Sequence, residues 1–76
     1  MTPTIGRIVH YHLDAGPHKG EPRPAVIVCV WNDDCLNLQV LTDGANDGEK
    51  YATGVYWATS STGGAEPGKW VWPVRT

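Results

Sequence analysis

The fold depends most on the stretch Arg23-Pro24-Ala25-Val26-Ile27-Val28-Cys29-Val30-Trp31. It is apolar and rich in β-branched residues, and the turn-forming run Asn32-Asp33-Asp34 follows it. Such a run is too short and too branched for a helix and is typical of a strand buried on both faces. A chain of 76 residues can bury few strands of this kind. We therefore expect it to be the centre of the sheet, with the other segments around it.

Four other segments alternate, or are apolar enough, to be strands. They are Ile5 to Leu13, Cys35 to Leu41, Tyr51 to Thr59 and Lys69 to Val74. The loops between strands are rich in glycine, proline and small polar residues, and comprise residues 14–22, 42–49 and 60–68. Five short strands joined in this way predict one small, closed, mainly antiparallel barrel domain over residues 1–76, with no helix longer than one turn.

The alternation also predicts which side chains share a face. In the first strand one face is expected to carry Ile5, Val9, Tyr11 and Leu13, and the other face Ile8, His10 and His12. In the last strand the shared face is expected to carry Trp70, Trp72 and Val74.

Composition limits the possible functions. The net charge of −2 argues against a general nucleic-acid binder, which normally has a basic face for phosphate contacts. No apolar stretch approaches the roughly 18 residues of a membrane span, so no membrane partner is expected. Met1-Thr2-Pro3-Thr4 has no basic region and no apolar run after it. We therefore expect no secretory leader and a reducing, cytoplasmic environment.

Cys29 and Cys35 flank the first tight turn, where cross-strand neighbours could come close enough to form a disulfide. In a reducing cytosol free buried thiols are expected, with a disulfide or a metal-binding pair as the alternative. A domain this small has thin stability and usually depends on a disulfide, a metal or oligomerisation. Association of identical chains is therefore the expected source of extra stability.

Two segments raise the question of a metal. His10-x-His12 places two imidazoles on one side of a strand, and His18 follows in the next loop. These histidines could form a metal site, contact a ligand or interface, or simply lie on the surface. Residues 43–49 combine acidic and amide side chains with glycines, which suits either calcium or turn formation. The histidine pair has the spacing that a metal pair would use, but no Asp, Glu or Cys stands at a tight companion spacing. The acidic segment does not have the ligand spacing of an EF-hand loop. We predict no metal and no cofactor.

Tryptophan is the strongest departure from a plain core composition, with four tryptophans and no phenylalanine. Aromatic residues among a few cations suit stacking on a nucleobase, with the cations reaching phosphate. The alternative is that tryptophans fill the barrel and the last strand anchors a dimer. The hydroxyls before Gly63-Gly64 could form an anion cradle or a simple hairpin tip. The candidate ligand-binding residues are Arg7, His10, His12, Arg23, Trp57, Ser60, Ser61, Thr62, Trp70 and Trp72.

Catalytic patterns are not evident. No nucleophile comes with a base and an orienting group at readable positions, and no carboxylate pair stands out. We predict that the protein is not an enzyme.

The opening of the chain resembles the MazF-type toxin ribonucleases. Gly6-Arg7-Ile8-Val9, a glycine-rich loop and Arg23-Pro24-Ala25-Val26-Ile27-Val28 are similar to the first two strands of their SH3-like barrel. The resemblance implies that fold and, if activity came with it, Arg23 as a catalytic arginine in RNA cleavage. The chain departs from those toxins after this region, so only the fold is carried over.

Over nearly its full length the chain also resembles a family of small proteins of tailed bacteriophages and prophages. The resembling segments are Gly6-Arg7-Ile8-Val9-His10-Tyr11, Arg23-Pro24-Ala25, Val30-Trp31, Asn37-Leu38-Gln39-Val40, Thr42-Asp43-Gly44, Asn46-Asp47-Gly48 and Trp70-x-Trp72-Pro73. Small accessory phage proteins are often host-takeover or anti-defence factors, and several are oligomeric sponges for nucleotide immune signals. The resemblance implies such a role in the cytoplasm of a bacterial host.

The patterns and the resemblances together predict a five-stranded, mainly antiparallel SH3-like barrel that self-associates. The first functional hypothesis is non-enzymatic binding of a small anionic, nucleotide-like ligand by an anti-defence sponge. The alternative is a protein–protein interaction or virion accessory module with a host protein as partner. A second alternative is a ribonuclease of the MazF type.

Overall fold

A computed structural model of the chain describes residues 2–64 and 66–73. Its elements in chain order are β1 (Ile8–His12), β2 (Pro22–Val30), β3 (Cys35–Leu41), a 3-10 helix (Gly44–Asp47), a second 3-10 helix (Glu49–Tyr51), β4 (Val55–Ser61) and β5 (Trp70–Val71). Both helices are single turns, as predicted.

The described strands form one sheet in the order β4-β3-β2-β1-β5, and each neighbouring pair is antiparallel. β2 lies in the middle of this order, so the prediction that the Arg23–Trp31 segment is central is confirmed. At the far end of the sheet, Thr62 forms a parallel bridge with Trp70, which brings the end of β4 to β5. The sheet therefore curls into a half-barrel, and the predicted small all-β, SH3-like fold class is confirmed. Within the described residues the curl is joined at this bridge and not along the whole of β4, so the barrel is less closed than predicted.

The core lies on the concave side of the sheet, because alternate residues of each strand point there. It contains Val9, Tyr11, Leu13, Ala25, Ile27, Leu36, Leu38, Val40, Tyr51, Ala58 and Trp70. The predicted inward faces of β1 and β3 are confirmed for the residues from Val9 onward in β1 and for Leu36, Leu38 and Val40 in β3.

Two predictions about burial are wrong. Ile5 precedes β1 and is 72% exposed, because the strand begins only at Ile8 and Gly6 turns the chain with a φ of 93°. β2 is buried on its inner face only: Ala25 and Ile27 are buried, whereas Val28 is exposed beside a β-bulge. No other layer of the described chain covers the outer side of this strand, so its apolar character cannot be explained by burial on both faces.

The predicted fourth strand is shifted. Tyr51 belongs to the second 3-10 helix and is buried in the core, and Gly54, with a φ of 84°, ends the turn before β4 begins at Val55. Ser60 and Ser61, predicted in a loop, are the last two residues of β4. Val74 of the predicted last strand lies outside the described residues.

Two further findings bear on the expectations from composition. Cys29 and Cys35 are both free and half-buried. Within residues 2–64 and 66–73, none of the helices has the length and apolar character needed to cross a membrane.

Candidate functional site

Arg23, one of the predicted ligand-binding residues, is bound inside the protein. Its Nε donates to Asp47 Oδ2 at 2.8 Å and its NH2 group donates to Asp47 Oδ1 at 2.6 Å. Asp47 is fully buried and also accepts the Asp43 backbone N–H at 2.6 Å. The Arg23 guanidinium lowers the pKa of Asp47 to about 2. This bidentate ion pair holds the loop after β3 against β2, so Arg23 has a structural role.

The first loop packs on the same place. Gly16 has a φ of 85°, and a Cβ at this position would collide with the backbone carbonyl of Asp47. A glycine is therefore required where the loop over residues 14–22 approaches the buried carboxylate. The acidic residues of the 42–49 loop thus serve turn formation and one buried ion pair, and the described part of the chain contains no cluster of three or more residues suited to a metal.

Three more of the predicted ligand-binding residues are committed to the barrel closure. Trp70 is 2% exposed, and its Nε1 donates to the Asp34 carbonyl oxygen at 2.9 Å. Trp72 packs edge-on against Trp70 with ring centroids 5.6 Å apart. Ser60 is buried and donates to the Gly68 carbonyl oxygen at 2.8 Å. Ser60 therefore ties β4 to the residues before β5, and Trp70 ties β5 to the turn between β2 and β3.

The remaining residues of the predicted set do not converge. His12 is buried with its Nδ1 3.3 Å from the Lys69 carbonyl oxygen, and His10 is half-buried on the outer side of β1. Arg7 is exposed and its Nε donates to Thr4 Oγ1 at 3.2 Å. Ser61 and Thr62 lie at the end of β4, and the Thr62 N–H donates to the Asp34 carbonyl oxygen. Trp57 lies three strands away from β1, at about 14 Å for strands spaced about 4.8 Å apart.

A polar and aromatic cluster, which the sequence did not single out, joins the first loop to the second 3-10 helix. Asp14 accepts hydrogen bonds from the Tyr51 hydroxyl and from Lys50 Nζ, the latter at 2.9 Å. Lys50 Nζ lies 5.1 Å from the centre of the Tyr56 ring, and Tyr56 lies beside Tyr11 and Tyr51. Burial alone would raise the pKa of Asp14, but the Tyr51 and Lys50 hydrogen bonds lower it. The cluster keeps Asp14 ionised and fixes the end of β1.

This cluster predicts a loss of stability at high pH. Burial raises the pKa of Tyr11 and raises the pKa of Tyr51 to about 12, from about 10 in an unfolded chain. The fold therefore favours the protonated phenols. The contribution of Tyr51 to stability is complete below pH 10 and lost as the pH rises through 12, and that of Tyr11 is lost at higher pH. We expect the urea midpoint, followed by circular dichroism, to fall between pH 10 and 12. Tyr51→Phe should flatten this dependence. Tyrosinate absorbance of both buried phenols near pH 10 in the folded protein would contradict the prediction.

Most of the exposed large hydrophobic side chains of the described residues lie on the convex side of the sheet. We call it the outer face, and its residues are Ile8, Val26, Val28, Trp31, Gln39, Leu41, Val55 and Trp57. Cross-strand pairing places Ile8, Val26, Gln39 and Trp57 in one row across four strands. Leu41 and Val55 are paired in the adjacent row. Because paired residues on one side of a sheet have neighbouring side chains, these residues form a continuous surface.

Two tryptophans flank this surface. Trp57 is 58% exposed and Trp31 is 64% exposed. The Trp31 Nε1 donates to Asn37 Oδ1 at 3.0 Å, and Thr59 Oγ1 donates to the same oxygen at 2.7 Å. Asn37 is in β3, so this shared acceptor holds the Trp31 indole over the sheet rather than away from it. The two indoles therefore belong to one surface.

The outer face carries almost no charge. Along β2, β3 and β4, no residue that alternates onto this side is Asp, Glu, Lys or Arg. Arg23 points to the other side and is paired with Asp47. An exposed apolar surface flanked by aromatic residues is typical of an interaction site, because isolated proteins rarely expose large contiguous apolar patches.

Sequence reasoning included Trp57 in the candidate set but treated Trp31 only as the end of a strand. The signal that could have identified the outer face is the apolar character of the alternate positions Val26 and Val28. The described elements include two single-turn 3-10 helices but no α-helix that could cover the sheet. Comparison of the chain with protein-family models, with curated proteins and with solved structures finds no match.

Proposed function

We propose that this protein is a non-enzymatic interaction module that binds another protein through its outer face. The observation that carries the proposal is the pair of exposed indoles, Trp31 and Trp57, on a continuous uncharged sheet surface. Tryptophan is enriched where interfaces draw most of their binding energy, because it buries a large area with few rotatable bonds. The interior polar groups support this proposal over catalysis, since Arg23, Asp47 and Ser60 are all engaged in internal hydrogen bonds.

The absence of charge along the outer strands indicates the chemistry of the partner. A surface of Val, Leu, Ile and Trp gains by excluding water. Its polar groups include the Gln39 side chain and, beside Trp31, the mutually bonded Asn37 and Thr59 side chains. Along β2, β3 and β4 it offers no charged side chain that could pair with a strongly charged peptide or with a phosphate. The surface therefore fits an apolar patch of a folded protein, and a host or virion protein is the partner class that the phage resemblance favours.

A photo-cross-linking experiment tests this proposal. A photoreactive residue replaces Gln39 at the centre of the outer face or, as the control, the exposed Lys19 in the first loop. In cells that make the protein naturally, we expect one protein adduct from position 39 and none from position 19. Trp57→Ser should weaken the interaction by about 2 kcal/mol, or roughly 30-fold, as for an aromatic hot spot. Arg7→Ala should leave the adduct unchanged.

Three results would contradict the protein-interaction proposal. One is equal cross-linking from both positions, which would show that the outer face has no special affinity. Another is an adduct from position 39 that is insensitive to Trp57→Ser. The third is an adduct with twice the mass of the chain and no other product, which would show that this face is covered by a second copy.

A nucleotide sponge in the bacterial host cytoplasm is the second candidate function, and the exposed Trp57 indole favours it because indoles stack on bases. Its phosphate contacts would have to come from residues other than Arg23 and Ser60, whose polar atoms are already bonded. The same purified variants distinguish the two candidates. Heat released on mixing with a cyclic or linear nucleotide, and lost in Trp57→Ser, would support the sponge and count against the protein partner.

A further inference from the structure

The backbone of β4 forms a free strand edge. Within residues 2–64 and 66–73, β4 pairs with β3 on one side, and on the other side it meets β5 only beyond its end, through Thr62 and Trp70. The phase of the β3–β4 ladder follows from the Thr42 N–H, which donates to the Gly54 carbonyl oxygen at 2.9 Å. Since bonded and non-bonded pairs alternate along an antiparallel ladder, the even-numbered residues of β4 bond to β3. The odd-numbered residues direct their N–H and C=O groups outward.

Side chains cap the two ends of this edge but not its middle. The Val55 carbonyl oxygen accepts the Thr53 hydroxyl at 2.9 Å, and the Ser61 carbonyl oxygen accepts the Ser60 hydroxyl at 3.2 Å. Among the residues that the structure describes, no hydrogen bond reaches the backbone groups of Trp57 or Thr59. Two donors and two acceptors therefore remain open at the centre of the edge.

The usual protections of an edge strand are missing here. Edge strands of monomeric proteins commonly carry lysine, proline, an inward charge or a bulge, each of which discourages pairing with another chain. The strand Val55–Ser61 has the sequence VYWATSS, with no charged residue and no proline, and its pairing with β3 is regular over all seven residues. Such an edge is suited to accept another strand.

We propose that two copies of this chain form a symmetric dimer by antiparallel pairing of their β4 edges. In a two-fold arrangement, Trp57 lies opposite Thr59 of the partner subunit. In this register each unpaired backbone N–H of these residues faces an unpaired backbone C=O of the other copy. The pairing forms four backbone hydrogen bonds, two from each copy. A second copy fits better than an unrelated strand because the edge is self-complementary in this register and uncharged, so like charges do not oppose each other across the axis.

The pairing would also join the two barrels into a continuous sheet. Val55 and Trp57 belong to the edge strand β4, and their side chains are exposed on the outer face. They therefore add apolar contact across the two-fold axis. A standard interface covers about 800 Å² per partner, which is less than a fifth of the 4440 Å² surface of this chain. The dimer goes beyond the proposed function and does not depend on it, because edge pairing leaves most of each outer face open.

Proline at position 59 is the decisive variant. The Thr59 N–H points away from β3, so proline there removes no hydrogen bond of the ladder but blocks the partner strand. Thr59→Val is the matched control, because it also loses the hydroxyl bond to Asn37 while keeping the N–H. Ala58→Pro tests the assigned phase, since the Ala58 N–H is directed to β3 and its loss should unfold the protein.

Sedimentation velocity and native mass spectrometry provide the readout. We expect the wild-type protein and Thr59→Val to be dimers, and Thr59→Pro to be a folded monomer with a strand-rich circular dichroism spectrum. If Thr59→Pro fails to fold, Thr59→Lys replaces it and should weaken the dimer at least tenfold by placing a charge on the edge. A monomeric wild type at all concentrations that stay in solution would overturn the proposal. A Thr59→Pro that folds and is a dimer would also overturn it. If Thr59→Pro does not fold, a Thr59→Lys dimer as tight as that of the wild type would overturn it.

The outcome can be separated from that of the outer-face experiment. A Thr59→Pro monomer that still forms the position 39 adduct would support both proposals as independent contacts. A wild-type monomer that forms the adduct would overturn the dimer and leave the protein-interaction proposal standing. A wild-type dimer that forms no adduct with another protein would do the reverse.

Discussion

Asp47→Ala is expected to lower the free energy of unfolding by about 3–5 kcal/mol, because it leaves the Arg23 guanidinium without its partner in a largely buried position. The substitution removes both charge-assisted hydrogen bonds and also the acceptor for the Asp43 N–H. Small domains have only about 5–15 kcal/mol of stability in total, so the variant should be close to unfolding at room temperature. Urea unfolding followed by circular dichroism measures the effect.

The matched control is the neighbouring Asp43→Ala. Asp43 is exposed, and within the described part of the chain its carboxylate accepts one hydrogen bond, from the Asn46 side-chain N–H at 3.3 Å, so we expect a change within about 0.5 kcal/mol. The paired replacement Arg23→Met with Asp47→Leu should recover most of the lost stability, since replacing both members of a buried ion pair removes the unpaired charge. A cost below about 1 kcal/mol for Asp47→Ala would show that Arg23 finds solvent or another partner, and would make it available for ligands.

The Arg23–Asp47 pair also shows why the candidate site was harder to predict than the fold. The two residues are 24 positions apart, and each has a plausible local interpretation. Arg23 starts an apolar strand that resembles a toxin strand, and Asp47 stands between an asparagine and a glycine, where aspartate commonly forms turns. Their contact depends on how the loop after β3 folds back over β2, and no periodicity in the sequence predicts the conformation of that loop.

The strand boundaries were predicted correctly where apolar and polar residues alternate strictly, and incorrectly where they do not. Cys35–Leu41 was predicted with its correct bounds because Leu36, Leu38 and Val40 alternate strictly with polar residues. β4 was displaced because Tyr51 looks like the start of an aromatic strand, although the chain makes a 3-10 turn there. The central position of β2 could be predicted from its apolar character, but its exposed outer side could not. That exposure depends on the absence of a covering layer, which is a property of the whole fold.

The four tryptophans illustrate the same limit. Trp57 and Trp70 both stand in short strands next to small or β-branched residues, and composition does not distinguish them. In the structure, the register of β4 places Trp57 on the convex side, whereas Trp70 closes the barrel from the concave side. The side of the sheet is decided by strand pairing and by a single-residue shift in register, which reverses every side chain. This is why the candidate binding residues dispersed while the fold prediction held.

Trp70→Ala is expected to lower the free energy of unfolding by about 3–5 kcal/mol. Trp57→Ala should change it by less than about 0.5 kcal/mol in the Thr59→Pro background, in which the proposed dimer would be absent. Trp70 is 2% exposed, packs against Trp72 and ties β5 to the turn at Asp34, so its loss opens a cavity and releases the barrel closure. Trp57 has no comparable packing in the single chain, and its contribution should appear only when a partner covers it.

Thermal and urea unfolding of the two variants measures this difference, and acrylamide quenching provides an independent readout. Trp70 fluorescence should be shielded and blue-shifted, while that of Trp57 should be quenched readily and become shielded when a partner covers the outer face. Equal costs for the two substitutions would mean that the convex side is part of the stabilising core, and the interaction surface would then have to lie elsewhere. A large cost at Trp70 with a negligible one at Trp57 would separate the residue that holds the barrel together from the residue that it presents to a partner.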